Sequence, residues 1–224
     1  MDNVSRLLTL MTGDEKHDPA SHSTLDVLRV LYKRVLDVSP ESVRSPRRDR
    51  FLLSKGHGPA AYYAVLCDRG FFPESWLPTW GAFDSPLGFH PDRNLVPGVE
   101  ISSGSLGHGL PLAVGVALGL RAQDLDARVV VLVGDAELDE GSNHEALELA
   151  AALGLDALTV VVVDNRSTSY AVPGRIAQRF AVEGWDVAIV DGRDRARLER
   201  ALTERPVGRP NVVVADVADQ EAAA

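Results

Sequence analysis

The stretch VVVLVGDAELDEGSNHEALELAAALGLDALTVVVVDN, residues 129–165, decides the fold. It opens with a β-branched run, Val129 to Val133, and closes with another, Thr159 to Val163. Apolar runs without alternation are what strands buried on both faces of a parallel sheet require. Between them, residues 141 to 154 are rich in Ala, Leu and Glu and end at Gly154, which reads as a helix with a glycine stop. Strand, helix and strand in this length make one crossover unit. Further on, Val187 to Val190 and Val212 to Ala215 read as two more strands, with a helix over residues 194 to 204 between them. The expected architecture is α/β, a parallel sheet covered on both faces and so three layers thick.

Ligands of open parallel sheets sit outside the carboxyl ends of the strands. Both deciding strands end in residues that hold metals. Asp135 follows the first, and Asp164 and Asn165 follow the second. Neighbouring strands would bring Asp135 and Asn165 to one point. A carboxylate and an amide oxygen, completed by a backbone carbonyl, suit Mg²⁺ shared with phosphates. Gly134 lets the backbone approach a ligand closely. Asp and Asn are also common turn formers, so the pair alone supports a solvated strand-end turn equally well.

Upstream, apolar residues at helical spacing predict a helix over residues 24 to 37, with Thr24 as its cap. Residues 49 to 53 predict a short strand, and residues 58 to 68 a helix turning Tyr62, Tyr63 and Leu66 inward. Residues 70 to 104 hold many Gly, Pro and aromatic residues without a period, a long connection of the kind that often serves function. Residues 107 to 122 are small and apolar on nearly every side, which predicts a buried helix.

The 224 residues suit one large domain, over residues 1–218 with a short tail at 219–224. A net charge of −9 argues against nucleic acid or an anionic membrane as the main partner. A phosphate site must then be local, made of backbone N–H groups, a few cations or a metal. Cys67 is the single cysteine, so no internal disulfide forms, in keeping with a reducing cytoplasm. No run approaches the ~20 apolar residues of a membrane span.

The segment from Gly134 to Asn165 resembles the thiamine diphosphate motif, in which GDG is followed some thirty residues later by an asparagine after an apolar strand. KHDPASHSTLDVLRVLY, SKGHGPAAYYAVLCDRGFF and FHPDRNLVPGVEISSGSLGHG each resemble transketolase segments, in the same order along the chain. The likeness runs from about Lys16 to Asp216. It implies the diphosphate-binding domain of the thiamine diphosphate fold, with Mg²⁺ held by Asp135, Asn165 and the carbonyl of Ser167. It implies that Gly134, Ala136, His57, Gly104 and Leu106 contact the cofactor. His17 and His90 would face the substrate and His57 would act beside the cofactor diphosphate and thiazolium, the three as catalytic residues with Glu140; Glu140 and Glu145 would link paired active sites at a subunit interface. Asp164 would orient rather than ligate.

The resemblance implies transfer of a two-carbon ketol unit from a ketose to an aldose. The glutamate that activates the aminopyrimidine lies, in this family, in a separate pyrimidine-binding domain. A chain of this length would then be the N-terminal subunit of a split enzyme, and its C-terminal partner would complete a heterotetramer. The α chains of 2-oxoacid dehydrogenases share the cofactor motif, but the FHPD and SSGSLGHG segments favour transketolase. Two alternatives are a secondary-metabolic enzyme with a 2-oxoacid or modified sugar donor, and a non-catalytic partner that kept the fold. Three departures bear on activity. Ala136 stands where the motif has glycine. His108 stands where glutamine is common. The closing VVVADVADQEAAA lacks the histidine- and lysine-bearing stretch that usually follows.

Overall fold

The computed structural model describes residues 2–12, 18–168 and 172–218. Among these described residues five strands form one parallel sheet: β1 (Arg50–Leu53), β2 (Val129–Gly134), β3 (Leu158–Asp164), β4 (Asp186–Asp191) and β5 (Asn211–Asp216), in the order β1-β2-β3-β5-β4. The two β-branched runs are adjacent as expected, with Val129 opposite Leu158 and Gly134 opposite Val163. All six residues of β2 are buried, which is why the run carries no polar alternation.

Helices cover both faces. On one side α1 (Asn3–Leu8), α2 (Asp18–Val30), α3 (Ala60–Asp68) and α7 (Arg195–Thr203) bury Leu53, Val130, Leu132, Val161 and Val213. On the other, α4 (Gly109–Ala122), α5 (Gly141–Ala152) and α6 (Arg175–Val182) bury Val129, Val131, Val133, Val160 and Val162. Even and odd strand positions thus serve separate cores, the period of two made visible. The chain steps outward from β3 to β4 over one face and returns to β5 by α7 on the other. A single hand of crossover demands that change of face.

Three expectations need correction. The second helix begins at Asp18 rather than at Thr24, which is buried within it. Its start is marked by Pro19, whose missing N–H costs nothing in a first turn. The helix then ends in a wide turn, Leu31–Val35, closed by Leu36 N–H donating to the Leu31 carbonyl at 2.9 Å. The third correction concerns α4. It is buried along one face only, and Leu112 and Gly115 on the opposite face are exposed. Helices α1 and α6 had no clear signal. In α6 the only buried residue is Phe180, which packs edge-to-face on Trp185 at 5.1 Å.

The predicted inward side chains of α3 hold. Tyr62, Tyr63 and Leu66 are buried, and the Tyr63 hydroxyl donates to the Gly88 carbonyl at 2.9 Å, anchoring the long connection. Within that connection Trp80 Nε1 donates to the same carbonyl at 3.2 Å, so two aromatic side chains fix the segment that carries His90. The tail at 219–224 lies outside the described residues.

Candidate functional site

The carboxyl ends of β1, β2 and β3 form the site. At the end of β2 the chain bends into a short helical turn, Ala136–Asp139. Asp135 is 3% exposed, and its N–H donates to the Val163 carbonyl at 3.2 Å, holding the two strand ends together. Both carboxylate oxygens face the loop after β3. Ser167 Oγ donates to one at 2.6 Å, and Thr168 N–H to the other at 3.1 Å. Asn165 stands in this same loop. Its Oδ1 is buried and has no hydrogen-bond partner. A buried acceptor left unsatisfied costs about 1–3 kcal/mol. Arg166, the next residue, has φ +57, a conformation non-glycine residues avoid, so the loop is held in a strained shape.

The donors fit a hard cation. One carboxylate, one orphan amide oxygen and a carbonyl from the loop are the oxygen types that Mg²⁺ takes beside phosphates. Among the described residues no cluster of three His, Cys, Asp or Glu could hold a metal, so a softer ion has no competing cage there. Asp164 behaves as an orienting residue: its Oδ1 accepts from the Arg166 N–H at 3.2 Å. Burial raises its pKa, and the carboxylates of Asp135 and Asp216 push it the same way. Beside the loop a cleft of about 150 Å³ is lined by Asp135, Asp139, Asp164, Arg166, Arg175 and Arg179. Three carboxylates face three guanidinium groups there, and Arg179 is paired with Asp139 at 3.3 Å, so the formal charges of this lining balance.

The KGHG, FHPD and SSGSLGHG segments meet beside β1. The rings of His57 and His90 lie edge-to-face with centroids 5.6 Å apart, and both residues are exposed. Small residues allow this meeting. A Cβ on Gly56 would lie 2.9 Å from the Gly104 nitrogen and 3.0 Å from His90 Cδ2. Gly104 has φ +114, and a Cβ there would also strike the His90 ring at 3.0 Å. Leu106 is 50% exposed, an apolar side chain presented rather than packed. His108 precedes α4 and is exposed. Ala136 is not among the described residues with positive φ, so its methyl group is accommodated without strain. Glu140 precedes α5, and it and Glu145 are exposed. His17 lies outside the described residues.

Two residues of the site had no reading in the sequence. Glu137 is 2% exposed and accepts from Ser54 Oγ, from Gly107 N–H at 3.0 Å and from Gly134 N–H at 3.3 Å. Burial raises its pKa against those three hydrogen bonds, which lower it. Lys55 lays its aliphatic stem over Gly134, with Cγ and Cδ 3.5 Å from where a Cβ would stand. Burial pushes its pKa down to about 8, while Asp135 and Glu137 pull it back up. The only sequence signal was a glutamate two places after the motif aspartate, which reads like any acidic turn.

Comparison with known proteins follows this geometry. Residues 6–216 match the family described as transketolase, thiamine diphosphate binding domain. Ferredoxin fas2 of Rhodococcoides fascians is 54% identical over 99% of this chain and 73% of its own length. This chain's single cysteine cannot furnish the four thiolates of an iron–sulfur centre. An apulose-4-phosphate transketolase subunit of Actinobacillus succinogenes is 37% identical over 89% of this chain and 75% of its own length. The transketolase structure from Leishmania mexicana superposes with a TM-score of 0.77 at 27% identity, over 92% of this chain but 37% of that one. Fold, motif order and relatives agree: the chain belongs to the transketolase family and comprises its thiamine diphosphate-binding domain.

Proposed function

We propose that this chain binds thiamine diphosphate with Mg²⁺ and, together with a second subunit, transfers a two-carbon ketol unit between sugar-type substrates. The observation that carries the reading is the orphan Asn165 Oδ1 in a strained loop that wraps the Asp135 carboxylate. A buried acceptor without a donor is costly unless a cation meets it. Asp135, Asn165 and the Ser167 carbonyl would hold Mg²⁺, and Gly134 and Ala136 would lie against the diphosphate. When bound, the cofactor supplies a nucleophilic carbon and an electron sink for cleavage beside a carbonyl. Leu106 and Gly104 would form the shelf under its rings and exclude water. His57 and His90, with His17, would move protons at the hydroxyl oxygens of the donor ketose, work that suits a ring able both to donate and to accept a proton.

Several features support a split enzyme. Relatives named as subunits of apulose-4-phosphate transketolase and of 6-deoxy-6-sulfo-D-fructose transketolase, the latter from a Clostridium species, match most of this chain. Leu112 on α4, Leu149 on α5 and Leu153 just after it are exposed apolar residues that a subunit contact would cover. Glu140, at the start of α5, and Glu145, on it, are exposed as well. The partner would supply the pyrimidine-binding domain with its glutamate, and two such pairs would form a heterotetramer. Its interface should bury more than ~1,000 Å², as stable contacts do. The setting proposed is the cytoplasm. No helix among the described residues is long and apolar enough to cross a membrane.

The test is calorimetry with thiamine diphosphate and Mg²⁺, and a ketol-transfer assay, on this chain alone and mixed with its candidate partner. The pair should bind and turn over, and the single chain should bind weakly and stay inactive. Full turnover by the single chain refutes the split-enzyme reading. Binding by the pair without transfer from any ketose tested refutes ketol transfer.

A further inference from the structure

We infer that Glu137 is a positioning residue whose buried carboxylate locks the metal end of the site to the shelf under the cofactor rings. The inference rests on the proposed cofactor site. It begins from a side chain that no part of the proposed chemistry uses. Glu137 sits two residues past Asp135 and turns inward rather than toward solvent. Its donors come from three separate segments: Ser54 at the end of β1, Gly134 at the end of β2, and Gly107 ahead of α4. Ser54 Oγ also accepts from Gly109 N–H at 3.0 Å, extending the chain of bonds into the first residue of α4. Asn143 Nδ2 donates to the Glu137 carbonyl at 2.6 Å, so the backbone of the clamp is itself held.

Gly107 is the focal point. Its N–H goes to Glu137, and its carbonyl accepts from Ser142 Oγ at 2.7 Å. Both sides of the residue are therefore gripped by one short segment, residues 135–142, the same segment that carries Asp135. No side chain fits there. A Cβ on Gly107 would lie 2.6 Å from Glu140 Cβ, and φ is +83. The neighbouring Leu106 is 50% exposed, so packing does not set its position. What sets it is the adjoining residue, and Glu137 and Ser142 hold that residue. A helix cap alone would need only the first amides of α4. The bond to Gly134 N–H, beside Asp135, goes beyond capping. It makes the distance from the metal carboxylate to the shelf a property of one side chain, the kind of preorganisation that a site of fixed geometry needs.

Hydrogen–deuterium exchange on the full chain without ligand tests this directly. Glu137→Ala removes every acceptor and should speed exchange at residues 107–109 about tenfold or more, with the amides of β3 and β5 unchanged. Glu137→Gln keeps one carbonyl oxygen for Ser54 and Gly107, and should restore exchange there to within about threefold of wild type. Ser142→Ala releases only the carbonyl side and should give a smaller rise in the same residues. With the partner subunit present, Glu137→Ala should raise the half-saturating thiamine diphosphate concentration about tenfold, with a smaller change in kcat at saturation. Wild-type exchange at residues 107–109 in Glu137→Ala overturns the inference, as does acceleration spread evenly over the sheet. Should that variant fail to fold, wild-type exchange in Ser142→Ala overturns it instead. Failure of the wild-type pair to bind thiamine diphosphate refutes the cofactor reading and leaves the exchange result to judge the clamp.

Discussion

Three glycines lie in α4, and the same substitution should have opposite effects at them. Gly109→Ala would put a Cβ 2.2 Å from both Ser54 Cβ and Ser54 Oγ and 2.9 Å from Ser54 Cα. These atoms are not the end of a flexible chain, because Ser54 is 4% exposed and bonded to Glu137. Overpacking of this kind costs about 1–3 kcal/mol, and loss of the Gly109–Ser54 hydrogen bond adds about 1 kcal/mol. Helix propensity offsets little at the first position of a helix. At Gly115 and Gly119 a Cβ meets nothing within 4 Å. There Ala should stabilise by up to about 1 kcal/mol each, the ordinary preference over Gly in a helix. Urea unfolding of the isolated chain reads both signs. Gly109→Ala should lose about 2–4 kcal/mol, and each of the other two should rise. A Gly109→Ala chain as stable as wild type would refute the rigid Ser54 contact. Gly115 also lies on the exposed face of α4. Its Ala variant should therefore be more stable alone yet bind the partner subunit less tightly, and equal pull-down affinity would argue against partner contact at that face.

Asn165→Ala removes the orphan oxygen, so the metal-free chain should gain about 1 kcal/mol in urea unfolding while Mg²⁺-dependent cofactor binding by the pair is lost; a destabilised chain would refute the orphan argument. His90→Ala should lower ketol transfer about 100-fold with cofactor affinity unchanged, and undiminished transfer from every ketose tested would remove its substrate role. Burial raises the pKa of Cys67, and the carboxylates of Glu74 and Asp68 raise it further, against the opposing Arg6. The reactive thiolate therefore forms at higher pH than in a free cysteine. Alkylation at pH 8 should be slower than for the free amino acid and should half-rise at higher pH; a half-rise at or below that of the free amino acid would contradict the burial.

The sheet and the edge that carries the site were legible in residues 129–165, because a strand buried on both faces has a composition no other element needs. The positions of Asp135 and Asn165 followed from strand adjacency, which a short crossover favours strongly. Other features were not legible, for physical reasons. The inward turn of Glu137 depends on Ser54 and Gly107, and local pattern carries no trace of partners so distant in the chain. The apolar surround of α4 was visible. Whether its own chain or another buries the outer face is a question that periodicity cannot answer. Helix α2 was read as starting late because its first turn is polar, although Asp18 and Pro19 marked the true start. The approach of His57 to His90 came from resemblance to a family; their separation along the chain gives no hint of it.

The pairing of β1 with β2 has a consequence for how the chain reaches its structure. Arg50 is registered against Val129, so the first strand leaves the ribosome about 80 residues before β2, its sheet neighbour among the described residues. At synthesis rates of about 5–20 residues per second, β1 waits roughly 4–16 s with its backbone groups unpaired. Its residues Phe51, Leu52 and Leu53 are all buried in the finished sheet; meanwhile α1, α2 and α3 can cover one of its sides, and α4, which covers Leu52 on the other, follows shortly before β2. The helical layer around α2 and α3 is therefore the natural first structure to form, with the sheet closing on it late, as long-range parallel pairing tends to do. Production of the soluble chain should depend on growth temperature and chaperone supply more than its final stability would suggest.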